Sequence, residues 1–152
     1  MNSFLRNKHL LLRAGFGLDF QNIQKLKQAS SDEIWRILQK DSLRYKPLDV
    51  PEIEGFSFYK LKKVSSAEKK KFLQKNKEEN GEIILAWYQN MISSESQLRE
   101  KMAFFWSGLF ATRTIVSQFN LQLLEVIREN ALGNFGELLF AVSQSPSMLQ
   151  FL

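Results

Sequence analysis

The sequence has no cysteine, a single histidine and no long uninterrupted run of apolar residues. The absence of cysteine excludes disulfide bonds, cysteine-ligated zinc sites and thiol catalysis. One histidine, His9, excludes a histidine-rich metal site within this chain, so we expect no metal and no cofactor. Every apolar stretch is shorter than a transmembrane helix requires, so we expect no membrane span.

The N-terminus lacks the features of a secretory signal peptide. Its apolar run, residues 9–12, is short and is interrupted by Arg13, and no small-residue cleavage site follows. This pattern predicts a cytoplasmic location. A periplasmic or exported location stays open as the alternative if a leader has been trimmed from the sequence.

Length and charge limit the class of protein. The 152 residues suit one domain spanning 1–152, and a hydrophobic content of 44% argues against wholesale disorder. A formal net charge of +5 favours acidic partners without being diagnostic of nucleic acid. Five lysines lie within residues 69–77, but Glu78 and Glu79 follow directly and Phe72 is the one interleaved aromatic residue. We interpret this run as a solvated helix face and expect no nucleic-acid binding, with binding to an anionic surface as the less favoured alternative.

The densest apolar stretch, residues 98–114, predicts the central helix of the fold. Its apolar side chains fall on two offset helical faces: Leu98, Met102, Phe105 and Leu109, then Ala103, Trp106 and Phe110. We expect only the first turn, with Arg99, Glu100 and Lys101, to be exposed to solvent. A helix that is apolar on nearly all sides is normally buried. An aromatic ligand pocket is the alternative interpretation. The side chains expected to form the structural core are Met102, Phe105, Trp106, Phe110 and Phe135.

Helix start and stop signals recur along the rest of the chain. Capping boxes are predicted at three pairs: Ser30 with Glu33, Ser65 with Glu68, and Ser94 with Gln97. The remaining signals are a left-handed cap at Gly15, a helix over 19–27, an interruption at Gly81, a capping-box-like pair at Asn134 and Glu137, and a start at Ser145-Pro146. Pro47 and Pro51 break the region 41–63, where Phe56, Phe58 and Leu61 allow a short extended piece. Because these signals come often, we predict an all-α, irregular multi-helix domain packed around a buried central helix, without long helices.

Polar residues give only a weak candidate site. His9 and Arg13 are four residues apart on a predicted helix and share a face, so together they could hold a carboxylate or phosphate. The favoured alternative is that Arg13 complements the helix C-terminus while His9 is an ordinary interface residue. Glu100 completes the candidate polar site. We assign no catalytic residue, because these groups do not form a complete catalytic constellation.

Three blocks of sequence resemble a known family. They are residues 9–17 (HLLLRAGFG), the aromatic block LREKM with Phe105-Trp106 and Phe110-Ala-Thr112, and a third block from Ala131 to Leu149 that begins ALGNF. In order and approximate spacing they are similar to the motifs of an uncharacterised bacterial family, the domain of unknown function eighteen hundred. The resemblance touches both ends of the chain, whereas residues 41–82 are not distinctive.

The resemblance implies that this chain is the N-terminal portion of a longer protein, because family members usually continue with an Asn-rich stretch and further helices. Relatives usually carry histidine at the positions of Ser107 and Leu109, and both histidines are missing here. Helix geometry also argues against one site formed by the side chains at both of these positions, since residues i and i+2 of a helix point in nearly opposite directions. Members of the family are often found with exported proteins. The resemblance implies no settled reaction.

Two functions from different classes follow. The leading hypothesis is a non-catalytic helical scaffold or interaction module, with an interface around residues 135–152 for a protein partner or for the remainder of the same protein. The alternative is part of an enzyme, a hydrolase that is possibly metal-assisted, whose active site lies mainly beyond residue 152. In that case this chain would contribute His9, Arg13 and Glu100 to the active site. Oligomeric state is not predicted.

Overall fold

A computed structural model describes residues 3–17, 27–53 and 65–152. The helices are α1 (Ser3–Ala14), α2 (Ser31–Ser42), α3 (Ser66–Ser93), α4 (Gln97–Leu109), α5 (Ser117–Asn130), α6 (Phe135–Ser143) and α7 (Pro146–Phe151). These described ranges contain no strand, so the all-α prediction is confirmed. Among them, no helix combines the length and apolarity needed to cross a membrane. The predicted helix over 19–27 and the predicted extended piece at Phe56, Phe58 and Leu61 lie almost entirely outside the described residues.

Local capping signals set most of the helix starts. Ser30 and Ser65 each accept a hydrogen bond from the backbone N–H three residues on, and Glu33 and Glu68 bond back to the cap backbone. Both predicted capping boxes are therefore confirmed. The Asn134 side chain accepts bonds from the first turn of α6, and Ser145 with Pro146 begins α7 as expected.

The main hydrophobic core surrounds α5, which contacts α3, α4, α6 and α7. Its buried members come from α4 to α6: Ala103, Leu123, Ile127, Ala131, Leu138 and Val142. A second cluster joins α1 to α2 through Ala14, Ile34 and Leu38, and Leu98 of α4 packs against it. Thus α4 contributes side chains to both clusters, and α5 contacts four other helices. The described helices are therefore held together by α4 and α5 rather than by α4 alone.

None of the five predicted core residues is fully buried, and two of them are exposed. Phe105 is 53% exposed and Phe135 is 50% exposed, whereas Met102, Trp106 and Phe110 are partly buried against the main core. At 100° per residue, Phe105 points nearly away from Ala103, the α4 side chain that packs most closely on the core. Phe135 is the first residue of α6, and the core contact of that helix is made one and two turns later by Leu138 and Val142.

The start and end of α4 differ from the prediction. The helix ends at Leu109 rather than Thr114, and its N-cap is Ser96, which makes no side-chain cap bond. The predicted capping box at Ser94 is wrong, because the Gln97 amide donates instead to the carbonyl oxygens of Met91 (2.9 Å) and Ser94 (2.7 Å). The side chain of Gln97 thus fastens the turn between α3 and α4.

Glycine signals were also misinterpreted. Gly81 does not interrupt α3, which runs for 28 residues and is longer than the frequent capping signals suggested. A Cβ atom at this position would meet no atom within 4 Å apart from its own stretch of helix, so no close neighbour requires a glycine here. The helix cost of Gly81, about 1 kcal/mol, is small beside the contacts of so long a helix. Gly15 is not left-handed; of the residues that the structure describes, the one with positive φ is Gly17, at 140°.

The N-terminus of α5 is capped by a different helix. Val116, its N-cap, has no polar side chain, but Asn76 of α3 accepts hydrogen bonds from the Ser117 backbone N–H (2.8 Å) and hydroxyl (3.0 Å). The single hydroxyl proton of Ser117 is shared between Asn76 and the Glu79 carboxylate. Both Asn76 and Ser117 are buried, so this contact fixes α3 against α5 while satisfying orphan amide groups.

Trp106→Ala should lower the free energy of unfolding by about 2–3 kcal/mol, less than the roughly 3–5 kcal/mol typical of a fully buried aromatic residue. Trp106 is only partly buried, although it packs on the main core and its indole N–H donates to the Ala131 carbonyl oxygen at 3.1 Å. Urea unfolding measures the change. A loss below about 1 kcal/mol would contradict this packing of α4 on α5.

Candidate functional site

The structure does not bring the three residues of the predicted polar site together. His9 and Arg13 are exposed on α1, whereas Glu100 is 1% exposed. Glu100 belongs instead to a set of buried and partly buried polar side chains from α4, α5 and the segment after α2. We call this set the buried charge cluster; its members are Tyr45, Arg99, Glu100, Glu125 and Arg128.

The centre of the cluster is the ion pair between Glu100 and Arg128. Arg128 donates from Nε to one carboxylate oxygen of Glu100 (3.0 Å) and from Nη2 to the other (2.9 Å). The side chains are only 1% and 2% exposed. The indole N–H of Trp87 in α3 donates to the same carboxylate at 2.9 Å. Glu100 is thus held by α3 and α5 at once, in the bidentate geometry that an arginine provides.

Arg128 also binds Glu125 and the segment that follows α2. Its Nη1 lies 2.9 Å from both carboxylate oxygens of Glu125, and its Nη2 donates to the Lys46 carbonyl oxygen at 3.0 Å. Glu125 in turn accepts hydrogen bonds from the Tyr45 hydroxyl and, at 2.8 Å, from the Leu48 backbone N–H. Residues 45–48 are therefore fastened to α5 by side-chain bonds.

Arg99 caps the C-terminal ends of two helices. It donates from Nε to the Ser42 carbonyl oxygen (2.9 Å) and from Nη1 to those of Arg128 (2.8 Å) and Glu129 (2.6 Å). These carbonyls belong to the last turns of α2 and α5, which lack partners within their own helices. The partial negative charge at a helix C-terminus also favours a cation there. This explains how an arginine that is 7% exposed is tolerated in the interior.

The titration behaviour of the cluster follows from burial and pairing. Burial by itself would lower the pKa of Arg128, but the hydrogen bonds and charge of Glu100, together with Glu125, raise it above the ordinary arginine value. Burial lowers the pKa of Arg99, with the charge of Glu100 opposing the change. Burial, followed by the hydrogen bond to Glu125, raises the pKa of Tyr45, so its hydroxyl stays protonated as a donor.

The bonding of the cluster is that of a structural element. Each carboxylate is shared among internal donors, and both arginines are occupied by internal acceptors. A general acid or base needs access to a proton on a reacting group, and Glu100 and Arg128, at 1% and 2% exposed, lack that access, whereas the Glu125 side chain is 20% exposed. Within the described ranges, no group of three or more His, Asp or Glu side chains is placed to hold a metal ion.

Sequence reasoning missed this cluster because it assigned Arg99 and Glu100 to a solvated first turn. One signal was available: Glu125 and Arg128 stand three residues apart within an otherwise apolar stretch of α5, which is a spacing for a helix ion pair. That signal identifies the pair but not the partners from α4 and from residues 45–48.

A contiguous aromatic surface is the second notable feature. Ring centroids of Trp106 lie 4.9 Å from Phe105, 6.2 Å from Phe110 and 5.5 Å from Phe135, and Phe110 is 6.5 Å from Phe135. We call these four residues the aromatic face. Its inner rings rest on the main core, while Phe105 and Phe135 remain half-exposed. The face joins the end of α4 to the start of α6.

Further exposed apolar side chains extend the aromatic face. Leu109 and Leu139 lie one helical turn after Phe105 and Phe135, and they are 61% and 46% exposed. Other large apolar side chains exposed near the C-terminus are Phe140, Leu149, Phe151 and Leu152. A cleft between α5 and the α6–α7 turn has a lining of both polar and apolar side chains: Gln122, Glu125, Val126, Glu129, Ala141, Gln144, Ser145 and Pro146.

The model of one protein family, described as "Protein of unknown function (DUF1800)", matches residues 9–152. Comparison with curated proteins finds no significant match. Comparison with solved structures finds none either.

Proposed function

Because the chain belongs to this family of unknown function, and its description assigns no reaction, we propose a function from the surface of the chain itself. The protein acts as a non-catalytic helical interaction module, and the aromatic face packs against polypeptide. The polypeptide is either a separate protein or further sequence of the same longer protein.

The exposure of the aromatic face is the observation that carries this proposal. Four aromatic rings in mutual contact, two of them half-exposed, form a large apolar surface together with Leu109 and Leu139. Aromatic residues are enriched at protein interfaces, and a large contiguous apolar patch on a protein surface commonly marks an interaction site. The ionisable groups of the buried charge cluster are engaged with one another and with backbone, so they hold α4, which carries Phe105 and Trp106, against α5.

Site-specific photo-crosslinking tests the proposal in the cells that make the protein. A benzophenone amino acid replaces Phe105 in one variant and Phe135 in another, and Tyr88 in the control. Tyr88 is an aromatic residue of α3 that is 52% exposed, so the control has matched exposure away from the aromatic face. We expect polypeptide adducts from positions 105 and 135 and few from position 88.

Mass spectrometry of the peptides from each adduct identifies the polypeptide that was crosslinked. Adducts at positions 105 and 135 to one defined polypeptide support an interaction module. Equal labelling at all three positions, or none at the aromatic face, would contradict it. If the adduct were to a small molecule instead, the alternative of a ligand-binding or enzymatic role would replace this proposal.

A further inference from the structure

We propose that one face of α1 binds the surface of an anionic lipid bilayer, with the helix lying in the plane of the interface. This inference goes beyond the proposed function, because it concerns a surface other than the aromatic face. An interfacial helix needs exposed apolar side chains for the acyl boundary and basic side chains for anionic headgroups. Both kinds stand together on what we call the outward face of α1: Leu5, Arg6, Lys8, His9, Leu12 and Arg13.

The opposite side of α1 is already occupied by α2. Ala14 is buried in one cluster with Ile34 and Leu38. Asn7 is fully buried, and its side-chain amide donates to the Ala29 carbonyl oxygen at 2.8 Å. At 100° per residue, the outward face projects away from these contacts, so it is the side of the helix left for a partner.

The outward face places cations on both flanks of two exposed leucines. Leu5 and Leu12 are 53% and 49% exposed, and at seven residues apart they project within about 20° of each other. Lys8 projects to one side of the leucines, whereas Arg6 and Arg13 project to the other, and all three are exposed. Long basic side chains in this position keep their charged ends at the headgroups while their stems cover apolar surface.

The positive charge of the outward face is not compensated by neighbouring carboxylates. Residues 1–18 contain neither aspartate nor glutamate, and the ion pairs found in the described part of the chain do not involve α1. The lysine run of α3 differs, because Lys75 pairs with Glu79 at 3.8 Å and Glu78 stands beside that carboxylate in sequence. Uncompensated cations are attracted to the negative potential of a membrane that contains anionic lipid.

The exposed leucines distinguish a bilayer from a nucleic acid. Proteins hold nucleic acids by phosphate contacts from basic side chains and by base contacts from polar or aromatic ones. Leu5 and Leu12, which stand between the cations, would have no apolar counterpart on a phosphate backbone. An anionic bilayer offers charged headgroups with an apolar layer directly beneath them, so it matches both kinds of side chain.

Co-sedimentation of the purified chain with lipid vesicles tests the proposal. Vesicles that mix phosphatidylglycerol with phosphatidylcholine are compared with vesicles of phosphatidylcholine alone. We expect the chain to partition at least about tenfold more strongly onto the anionic vesicles, and added salt to weaken this binding by screening. Failure to bind the anionic vesicles, or equal binding to both kinds, would overturn the proposal.

Two double variants with the same loss of charge locate the contact. Arg6→Gln/Arg13→Gln removes two cations from the outward face, and Lys70→Gln/Lys77→Gln removes two exposed cations from α3 at the same seven-residue spacing. Each basic residue near an anionic surface strengthens binding by about fivefold. We therefore expect the α1 variant to bind anionic vesicles at least about tenfold more weakly, and the α3 variant less than about threefold. Equal losses would attribute binding to net charge and overturn the assignment to α1.

A fluorescent label tests whether the leucines enter the bilayer. The chain has no cysteine, so a single introduced cysteine is labelled uniquely by a polarity-sensitive dye. The label is placed at Leu5→Cys or Leu12→Cys in α1, and at Leu85→Cys, an exposed position of α3, as the control. We expect emission from positions 5 and 12 to shift to the blue on anionic vesicles, and emission from position 85 to stay unchanged. Thermal unfolding checks that each variant remains folded.

The other outcomes assign the binding to a different partner or surface. Unchanged emission at positions 5 and 12 on vesicles that bind the chain would overturn the insertion of α1. A blue shift at Phe135→Cys in its place would assign membrane contact to the aromatic face. If polyglutamate bound the chain as tightly as the vesicles do, and Leu12→Gln weakened neither, an acidic polypeptide would replace the bilayer as the partner of α1.

Discussion

Arg128→Met should lower the free energy of unfolding by about 3–5 kcal/mol, the range measured when one partner of a buried ion pair is removed. Methionine roughly preserves the volume of the side chain, so the loss does not arise from a large cavity. It arises because Glu100, only 1% exposed, keeps a charge in the interior without its cation. Glu125 loses the same guanidinium, and the Lys46 carbonyl oxygen loses a donor.

A double variant distinguishes this cause from a general loss of packing. Glu100→Gln removes the buried charge while keeping an amide oxygen that can still accept the Trp87 indole N–H. We expect the Glu100→Gln/Arg128→Met protein to be more stable than Arg128→Met alone by at least about 1 kcal/mol. Urea unfolding of the wild type, both single variants and the double variant completes the cycle. If the double variant were the least stable of the four, the unpaired charge would not be the cause.

Arg99→Ala should cost about 3–4 kcal/mol, because it leaves carbonyl oxygens at the ends of α2 and α5 without a donor in a buried setting. Bonds from a charged donor contribute about 1.5–3 kcal/mol each, and bonds that share one guanidinium are not additive. Arg99→Lys should recover part of the loss, since an ammonium keeps the favourable charge but lacks the planar fork that reaches both helix ends. The urea midpoints of the two variants measure the difference.

Arg113→Ala is the control for Arg99→Ala. Arg113 is exposed, and removing an exposed arginine should change stability by less than about 0.5 kcal/mol. Equal effects of Arg99→Ala and Arg113→Ala would indicate a general dependence on net charge. If Arg99→Lys matched the wild type, the geometry of the guanidinium would be unimportant and charge at the helix ends would account for the whole effect.

The features that the sequence predicted well depend on residues close together in the chain. The boxes at Ser30 and Ser65 need only a hydroxyl and a glutamate three residues apart, and the start of α7 needs only Ser145 followed by proline. Such hydrogen bonds depend mainly on neighbouring residues, although the box predicted at Ser94 does not form, because Gln97 bonds to the end of α3 instead. Family membership was likewise recognisable, because its motifs are short and lie in order along the chain.

The errors concern long-range packing. Arg99 and Glu100 look solvated in a helical projection, but the ends of α2 and α5 supply acceptors for Arg99, and Arg128 supplies the cation for Glu100. Conversely, Phe105 and Phe135 look like core residues, yet nothing in the described chain covers them fully. Periodicity identifies which side chains share a helix face, but it does not identify the neighbour that meets that face.

The buried charge cluster joins residues that are far apart in sequence, and this separation affects folding kinetics. Its bonds join Ser42 to Arg99, Leu48 to Glu125 and Lys46 to Arg128, pairs that are 57, 77 and 82 residues apart in sequence. Contacts of such separation carry a large loop-closure cost and tend to form late, after the helices and local contacts are in place. Interactions that are absent from the transition state slow unfolding while leaving the folding rate nearly unchanged. We therefore expect the cluster to act mainly on the lifetime of the folded chain.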